Sequence, residues 1–487
     1  TQVKMKLKDI IKNCGATAIS GSPDTEISHI TNDSREVLPG SLFVAVTGCG
    51  RDGRPHIGEA VKAGAAAVMC EGGCTEEGIV SIDVPDSRLA VAMASDSFYR
   101  HPSGRLKLVG ITGTNGKTTT ATLLYNMFRS LGYGCGLLST IANYVGDKRI
   151  ETANTTSDPV TINSLLNDMA EEGCEYCFME VSSIGVDQQR IAGLEFKAGI
   201  FSNLTRDHLD YHGTFANYLR CKQRFFDALP KEAVAITNID DRNGMVMVQN
   251  TAARVVTYSC RSMADHRCRL MEESMEGMLL NIDGTEVWTR LCGAHNAYNL
   301  LAIYSTAVEL GIPREEALVA LSTLTPAKGR LEVIPGPGGR NVVIDYAHTP
   351  DALENVLKTL RDVEPQSELV CLFGCGGDRD KGKRPEMGEV ACRLADRVFL
   401  TSDNSRSEKT EDIIEDIKGG IGADAMSKVI CIPDRKEAIR AAIMLSPERA
   451  TILLAGKGHE TYQIIGGEKK HFDEREITEE TFKSLTR

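Results

Sequence analysis

The sequence predicts an α/β protein of three domains, a central phosphate-loop domain with a parallel sheet flanked by an N-terminal and a Rossmann-like C-terminal α/β domain. Three observations carry this. At 487 residues the chain is too long for one ordinary core. Short apolar strands alternate with helical stretches, the pattern of mostly parallel sheets covered on both faces. A glycine-rich turn joins a strand to a helix within residues 105–132.

The elements follow in order. In the first region, residues 1–104, "TNDSREVLPGSLFVAVTG" (31–48) reads as a polar turn and an extended run. "HIGEAVKAGAAAVMC" (56–70) reads as a helix, a glycine stop and a buried strand. The second region, 105–327, opens with "RLKLVGITGTNGKTTTATLLYNMFRSLG", whose helix places Leu123, Leu124, Met127, Phe128 and Leu131 on one face. Strands are expected at 175–183 and 233–240, and a long helix at 294–311. The third region, 328–487, repeats the style with strands at 341–348, 368–374, 396–403 and 450–456.

Composition narrows the function classes. With 42% hydrophobic and 25% charged residues the chain is that of a soluble globular protein. A formal charge of −12 leaves no surplus of cations to displace phosphate counterions, which excludes general nucleic-acid affinity but not a local nucleotide pocket. The longest buried-strand run, Ala450–Ala455, falls far below the roughly 18 apolar residues of a membrane span. No leader pattern opens the chain, and Thr1–Lys4 precede a plausible start at Met5. Fifteen cysteines, an odd number, read as reduced thiols of a cytoplasmic protein. The close pairs Cys70/Cys74 and Cys174/Cys177 have no partner pair at zinc-ribbon spacing and read as core packing.

The chemistry is concentrated at "GITGTNGKTT" (110–119). A polyphosphate needs inward-facing N–H groups, a helix N-terminus behind them and a cation. Gly113, Thr114, Asn115 and Gly116 supply the backbone, Lys117 a charge for the β- and γ-phosphates, and Thr118 a hydroxyl for Mg²⁺, with Thr119 following. The strict phosphate-loop pattern is missed, since its first glycine would fall at Ile111. "GCGGDRD" (374–380) lacks the third glycine of a dinucleotide fingerprint and reads instead as a strand-end turn beside a pocket.

The wording "TGTNGKTT", followed in order by "MEVSS" (179–183), "NLTRDHLDYHG" (203–213), "YLRCK" (218–222), "LCGAHNAYN" (291–299), "KGRLE" (328–332) and "DYAHTPDAL" (345–353), resembles the Mur ligase family along nearly the whole chain. The resemblance implies an ATP-dependent ligase that joins a carboxylate to an amine through an acyl phosphate, with two Mg²⁺ ions. It implies Glu180 and His208 as metal-binding residues, and Lys222 as a lysine carbamylated by CO₂. It further implies His295, Asn296 and Asn299, with Arg330 and Asp345 of the third region, as nucleotide contacts.

Finer features resemble the member that adds the third peptide residue. By that resemblance Ser34 touches a UDP-sugar, while Asn154, Thr155, Thr156, Ser182 and Arg190 contact UDP-N-acetylmuramoyl-L-alanyl-D-glutamate. "SDNSRSE" (402–408) resembles the signature for meso-diaminopimelate, a substrate whose distal carboxylate a guanidinium grips with two parallel hydrogen bonds. Arg384, Asp403, Asn404, Arg406, Gly456 and Glu460 are the implied pocket, Glu460 facing the substrate ammonium. Ser157, Ile184 and Ser405 depart from the family's proline, histidine and proline. The expected partners are small molecules, with no nucleic acid, no membrane span and a monomeric state. An L-lysine-adding ligase or a paralogue making another amide is the nearer alternative, and a nucleotide-binding switch the more distant one.

Overall fold

A computed structural model describes residues 4–48, 51–152, 154–205 and 209–485. They fall into two compact units, Thr1–Arg267 with Asn299–Ala320, and Cys268–Tyr298 with Leu321–Arg487.

The first unit begins with a five-stranded sheet in the order Ala18–Ser20, Val80–Asp83, Ala67–Cys70, Ser41–Ala45, His29–Thr31. Pairing is parallel except at the Ala18–Ser20 edge. The alanine-rich run behaves as its composition dictates. Gly64, with φ of 100°, follows the helix Ile57–Lys62, and Ala67–Cys70 is buried throughout.

The central sheet of this unit carries the site. Strand β1 (Lys107–Thr112) leads through the glycine-rich turn into helix α1 (Lys117–Ser130). Strands β2 (Cys135–Leu138), β3 (Tyr176–Glu180), β4 (Phe196–Phe201), β5 (Val234–Asn238) and β6 (Arg254–Ser259) complete the parallel core, in the order β2-β3-β1-β4-β5-β6. Helix α2 (Phe215–Asp227) lies between β4 and β5 in sequence and is capped by Thr214, whose side chain accepts from the Asn217 N–H. Leu123, Leu124, Met127 and Phe128 are fully buried, as the helical spacing predicts, whereas Leu131 is the half-buried C-cap. Each such buried side chain contributes about 1.5–3 kcal/mol. Because β1 lies between β3 and β4, its carboxyl end opens at the point where chain order reverses, the usual ligand position in such sheets.

The strands expected at 175–183 and 233–240 are β3 and β5, and the long helix is α3 (Ala294–Glu309). An antiparallel meander, His266–Ser274, Gly277–Ile282 and Thr285–Thr289, was not anticipated. Its first strand, "HRCRLMEES", alternates buried His266 and Cys268 with exposed Arg267 and Arg269, and its charge disguises the period of two.

In the second unit, strands β7 (Asn341–Asp345), β8 (Leu369–Phe373), β9 (Arg397–Leu400) and β10 (Thr451–Ala455) form a parallel sheet in the order β7-β10-β8-β9. Glu332–Pro335 is antiparallel on one edge, and Val429–Cys431 is parallel on the other. Helices α4 (Arg435–Leu445) and α5 (Glu474–Leu485) pack on each other and cover one face with Ile439, Ile443, Ile477 and Phe482. All four strands expected here are present.

Candidate active site

The loop between β1 and α1 is shaped by close approaches that only glycine permits. Gly113 has φ of 150°, and a Cβ there would lie 1.9 Å from Ser202 Oγ. Gly116, with φ of 89°, would put a Cβ 2.5 Å from Asn299 Oδ1. The segment after β4 braces the loop: Thr114 N donates to Asn203 O at 2.8 Å, Asn115 N to Asn203 Oδ1 at 2.9 Å, and Ser202 Oγ to Asn115 O at 2.6 Å. Lys117 curls over the turn, its Nζ donating to Gly113 O and Thr114 O at 2.8 Å each.

Glu180, at the end of β3, is fully buried. Its carboxylate accepts from Thr118 Oγ1 at 3.0 Å, and from Thr140 N and Thr140 Oγ1 at 2.8 and 3.1 Å. Thr140 lies in a loop with no recognisable motif, so sequence reasoning had no signal for it. Lys222 reaches in from α2, where its Nζ donates to Gly113 O at 2.8 Å and sits 4.9 Å from the Tyr218 ring centre. Lys222 and Lys117 therefore converge on one carbonyl. His208 lies outside the described residues. Thr119 is half-buried on the first turn of α1.

A second cluster adjoins Glu180. Thr156 Oγ1 donates to Glu180 O at 2.9 Å and accepts from Ser182 N at 3.0 Å. Thr155 Oγ1 and Thr140 Oγ1 lie within hydrogen-bond distance at 3.1 Å. Arg190 donates to Thr156 O and to Gln188 Oε1. The structure thus brings Thr155, Thr156, Ser182 and Arg190 together next to Glu180. Asn154 is exposed at the start of this turn, Ser157 and Ile184 are half-buried, and Asp158 caps the following helix. Ser34 stands in a separate turn of the N-terminal sheet, where Asp33 accepts from Arg35 N and the Arg35 guanidinium holds the Asp33 carboxyl down at about 2.

On α3, Asn299 faces the phosphate loop at Gly116, whereas Asn296 donates to Cys292 O at 2.7 Å and His295 is exposed. In the second unit the Arg330 guanidinium lies 5.1 Å from the Tyr346 ring centre. Asp345 accepts from Leu331 N at 2.8 Å and Ala347 N at 2.9 Å, and burial pushes its pKa up.

The carboxyl ends of β8, β9 and β10 form a further cluster. Asp403 and Asn404 follow β9, and Gly456, with φ of 110°, follows β10; a Cβ there would lie 3.1 Å from Asp403 Oδ2. Asn404 Nδ2 donates to Glu460 Oε2 at 2.9 Å. Arg406, with φ of 52°, donates to Gly377 O at 2.7 Å. Ser405 Oγ is buried with no hydrogen-bond partner.

Arg384, implied as a member of this pocket, has a fully buried side chain committed to protein partners. Its guanidinium forks onto Glu408 at 3.0 and 2.9 Å, and donates to Asp416 at 2.7 Å and Gly376 O at 3.2 Å. It holds the loops in place. Arg379 is exposed, and the Gly376 Cβ position lies 3.1 Å from Arg406 Nη1 and 3.6 Å from Arg379 Cγ.

The Arg384 fork pulls the Glu408 carboxyl from the ordinary 4.5 to about 2. A lowered acid pKa stabilises the fold above about pH 4.5, and that contribution is lost as pH falls towards 2. Glu408→Gln should therefore lower the melting midpoint most at neutral pH, with the gap to the parent protein closing in acid. A gap that does not change with pH would refute the pairing.

Comparison with known proteins matches residues 26–103 to the Mur ligase family catalytic domain, 111–307 to the Mur ligase middle domain and 329–458 to the Mur ligase glutamate ligase domain. The chain is 51% identical over 485 residues to a UDP-N-acetylmuramoyl-L-alanyl-D-glutamate--2,6-diaminopimelate ligase of Bacteroides fragilis, covering 99% of this chain and 100% of that one. A solved structure of an enzyme with that name superposes with a TM-score of 0.72 at 32% identity, covering 99% and 100%. The D-alanyl-D-alanyl-adding ligase of Acinetobacter baumannii shares the fold, with a TM-score of 0.64 at 18% identity over 94% of this chain and 96% of that one.

Proposed function

This chain belongs to the Mur ligase family, and from that premise we propose that it is the ATP-dependent ligase joining meso-diaminopimelate to the D-glutamyl carboxylate of UDP-N-acetylmuramoyl-L-alanyl-D-glutamate in peptidoglycan precursor synthesis. The observation that carries this reading is likeness over 98–99% of the chain to ligases named for that reaction.

Ligation in two displacements uses the groups at the end of β1. A carboxylate oxygen of the dipeptide attacks the γ-phosphorus of ATP, forming an O–P bond as the bond to ADP breaks. The amine nitrogen then attacks the acyl carbon, loses a proton and expels phosphate. Lys117 and the N–H groups at the start of α1 are proposed to meet the charge that moves onto the phosphate oxygens. Thr155, Thr156, Ser182 and Arg190, packed beside Glu180, are the proposed grip on the acceptor. Ser34 is the proposed contact for its UDP-sugar, with Asn154 at the edge of the acceptor site. His295, Asn296, Asn299, Arg330 and Asp345 are the proposed nucleotide contacts.

The family uses Mg²⁺ generally. The oxygen set at Thr118 and buried Glu180 suits that hard cation, and these residues, with His208 and a carbamylated Lys222, are proposed to hold two ions. When bound, the metal screens the two anions from each other. Support for the carbamate is electrostatic: two ammonium groups on Gly113 O repel, and an anion on Lys222 would reverse that sign. Intact mass of active enzyme with and without bicarbonate should show a bicarbonate-dependent gain of one CO₂, lost in Lys222→Ala.

The amine pocket is proposed at Asp403, Asn404, Arg406, Gly456 and Glu460, with Arg384 holding its loops in place. The described cysteines are all free, in keeping with the cytoplasm, and among the described residues no helix is long and apolar enough to cross a membrane. Phosphate release with ATP, Mg²⁺ and the UDP-dipeptide should rise strongly with meso-diaminopimelate and little with L-lysine. The reverse order would overturn the amine assignment, and no rise with either would overturn the acceptor.

A further inference from the structure

A buried cation sits inside the acidic half of the amine pocket. Lys457 lies between Gly456 and Gly458, and its side chain is fully buried. Its Nζ donates to Asp403 Oδ1 at 3.4 Å, Asn404 Oδ1 at 3.2 Å and Glu460 Oε2 at 3.2 Å, three acceptors for three ammonium protons. The Tyr462 and Phe472 rings stand 5.7 and 5.9 Å away, so the charge is walled on that side by carbon. Two of these acceptors are shared: Asn404 Oδ1 also takes Ile464 N at 2.9 Å, and Glu460 Oε2 also takes Asn404 Nδ2 at 2.9 Å.

The charge count follows. Asp403 and Glu460 bring two negative charges and Lys457 one positive, leaving a residue of one negative charge beside the Arg406 guanidinium. A substrate end carrying both an ammonium and a carboxylate matches that pair of opposite charges. An end carrying only an ammonium meets a weakened acid site, and leaves the arginine uncompensated. Without Lys457 the two carboxylates would draw in any ammonium, whether or not a carboxylate came with it.

We propose that Lys457 is a specificity-determining residue, an internal counter-ion that weakens the pocket's acids so that only an amine bearing its own distal carboxylate is accepted. The inference rests on the assignment of this pocket to diaminopimelate. Lys457 acts through Asp403 and Glu460, and so is a positioning residue.

The test compares kcat/KM for meso-diaminopimelate and L-lysine in the parent enzyme, Lys457→Met, Lys457→Arg and Glu460→Gln. Lys457→Met should move the ratio toward lysine by about tenfold or more, one such step being about 1.4 kcal/mol. Lys457→Arg, which keeps the charge, should hold the ratio near the parent value. Glu460→Gln removes a negative charge and should move the ratio the opposite way, which keeps the proposal testable if Lys457→Met does not fold. Parallel loss with both amines at an unchanged ratio would mean a merely structural lysine and overturn the proposal. A parent enzyme with no preference for diaminopimelate would instead overturn the pocket assignment, and the proposal with it.

Discussion

Replacing Lys117 with alanine should lower turnover by roughly 10²–10³-fold, the usual loss when one preorganised donor is removed from a developing anion, while leaving the fold intact. The asymmetry follows from where the side chain spends its hydrogen bonds. Nζ donates to Gly113 O and Thr114 O, and such bonds contribute only about 0.5–1.5 kcal/mol each net of water. The loop itself is held independently by Ser202 and Asn203 and by the tight approach at Gly113. In the proposed reaction, by contrast, charge shifts onto phosphate oxygens that the same Nζ is proposed to meet, beside buried Thr118 and Glu180. Amine-dependent phosphate release, measured beside the thermal midpoint, separates the two roles. A near-normal rate in Lys117→Ala would remove this loop from the chemistry, whereas a collapsed midpoint would make the lysine structural.

Much of this arrangement was legible in the sequence because it rests on local rules. The turn from β1 to α1 has its own glycines, and the apolar face of α1 repeats at helical spacing. The alternating strands of the second unit are short, apolar and bounded by turn residues, so all four could be placed. What escaped depends on chain segments distant in sequence. The meander hides behind charged exposed positions. Thr140 meets Glu180 across 40 residues, with no pattern linking them. Arg384 is buried against Glu408 and Asp416 from further along the chain, which no local pattern around "KGKR" shows. Lys457 was passed over for the same reason: "GKGHE" shows a lysine beside a glutamate, but not that Asp403 and Asn404 come from another strand end to share it.

The largest effect on stability is expected at Arg435. Its side chain is fully buried at the start of α4, and its guanidinium donates to Glu474 Oε1 at 2.8 Å, Ala455 O at 2.8 Å and Ser402 O at 3.1 Å. One side chain thereby ties the ends of β9 and β10, which flank β8 in the sheet, to the start of α5. Arg435→Met should cost about 3–5 kcal/mol, because it strands a buried carboxylate as well as two carbonyls. Burial already pushes the Glu474 pKa up. An acid with a raised folded pKa favours the fold below its unfolded pKa and disfavours it as pH rises through the folded value, so the deficit of Arg435→Met should shrink in acid. Adding Glu474→Leu removes the stranded charge and should recover most of the stability at neutral pH, a strongly non-additive pair. Activity should not return with it, because Ser402 and Ala455 directly precede Asp403 and Gly456 of the amine pocket. The double variant is expected to fold well, to bind ATP normally and to show a raised KM for the amine. Additive losses in stability would dismiss the ion pair, and a normal amine KM in the stable double variant would show that the two strand ends hold the pocket without Arg435.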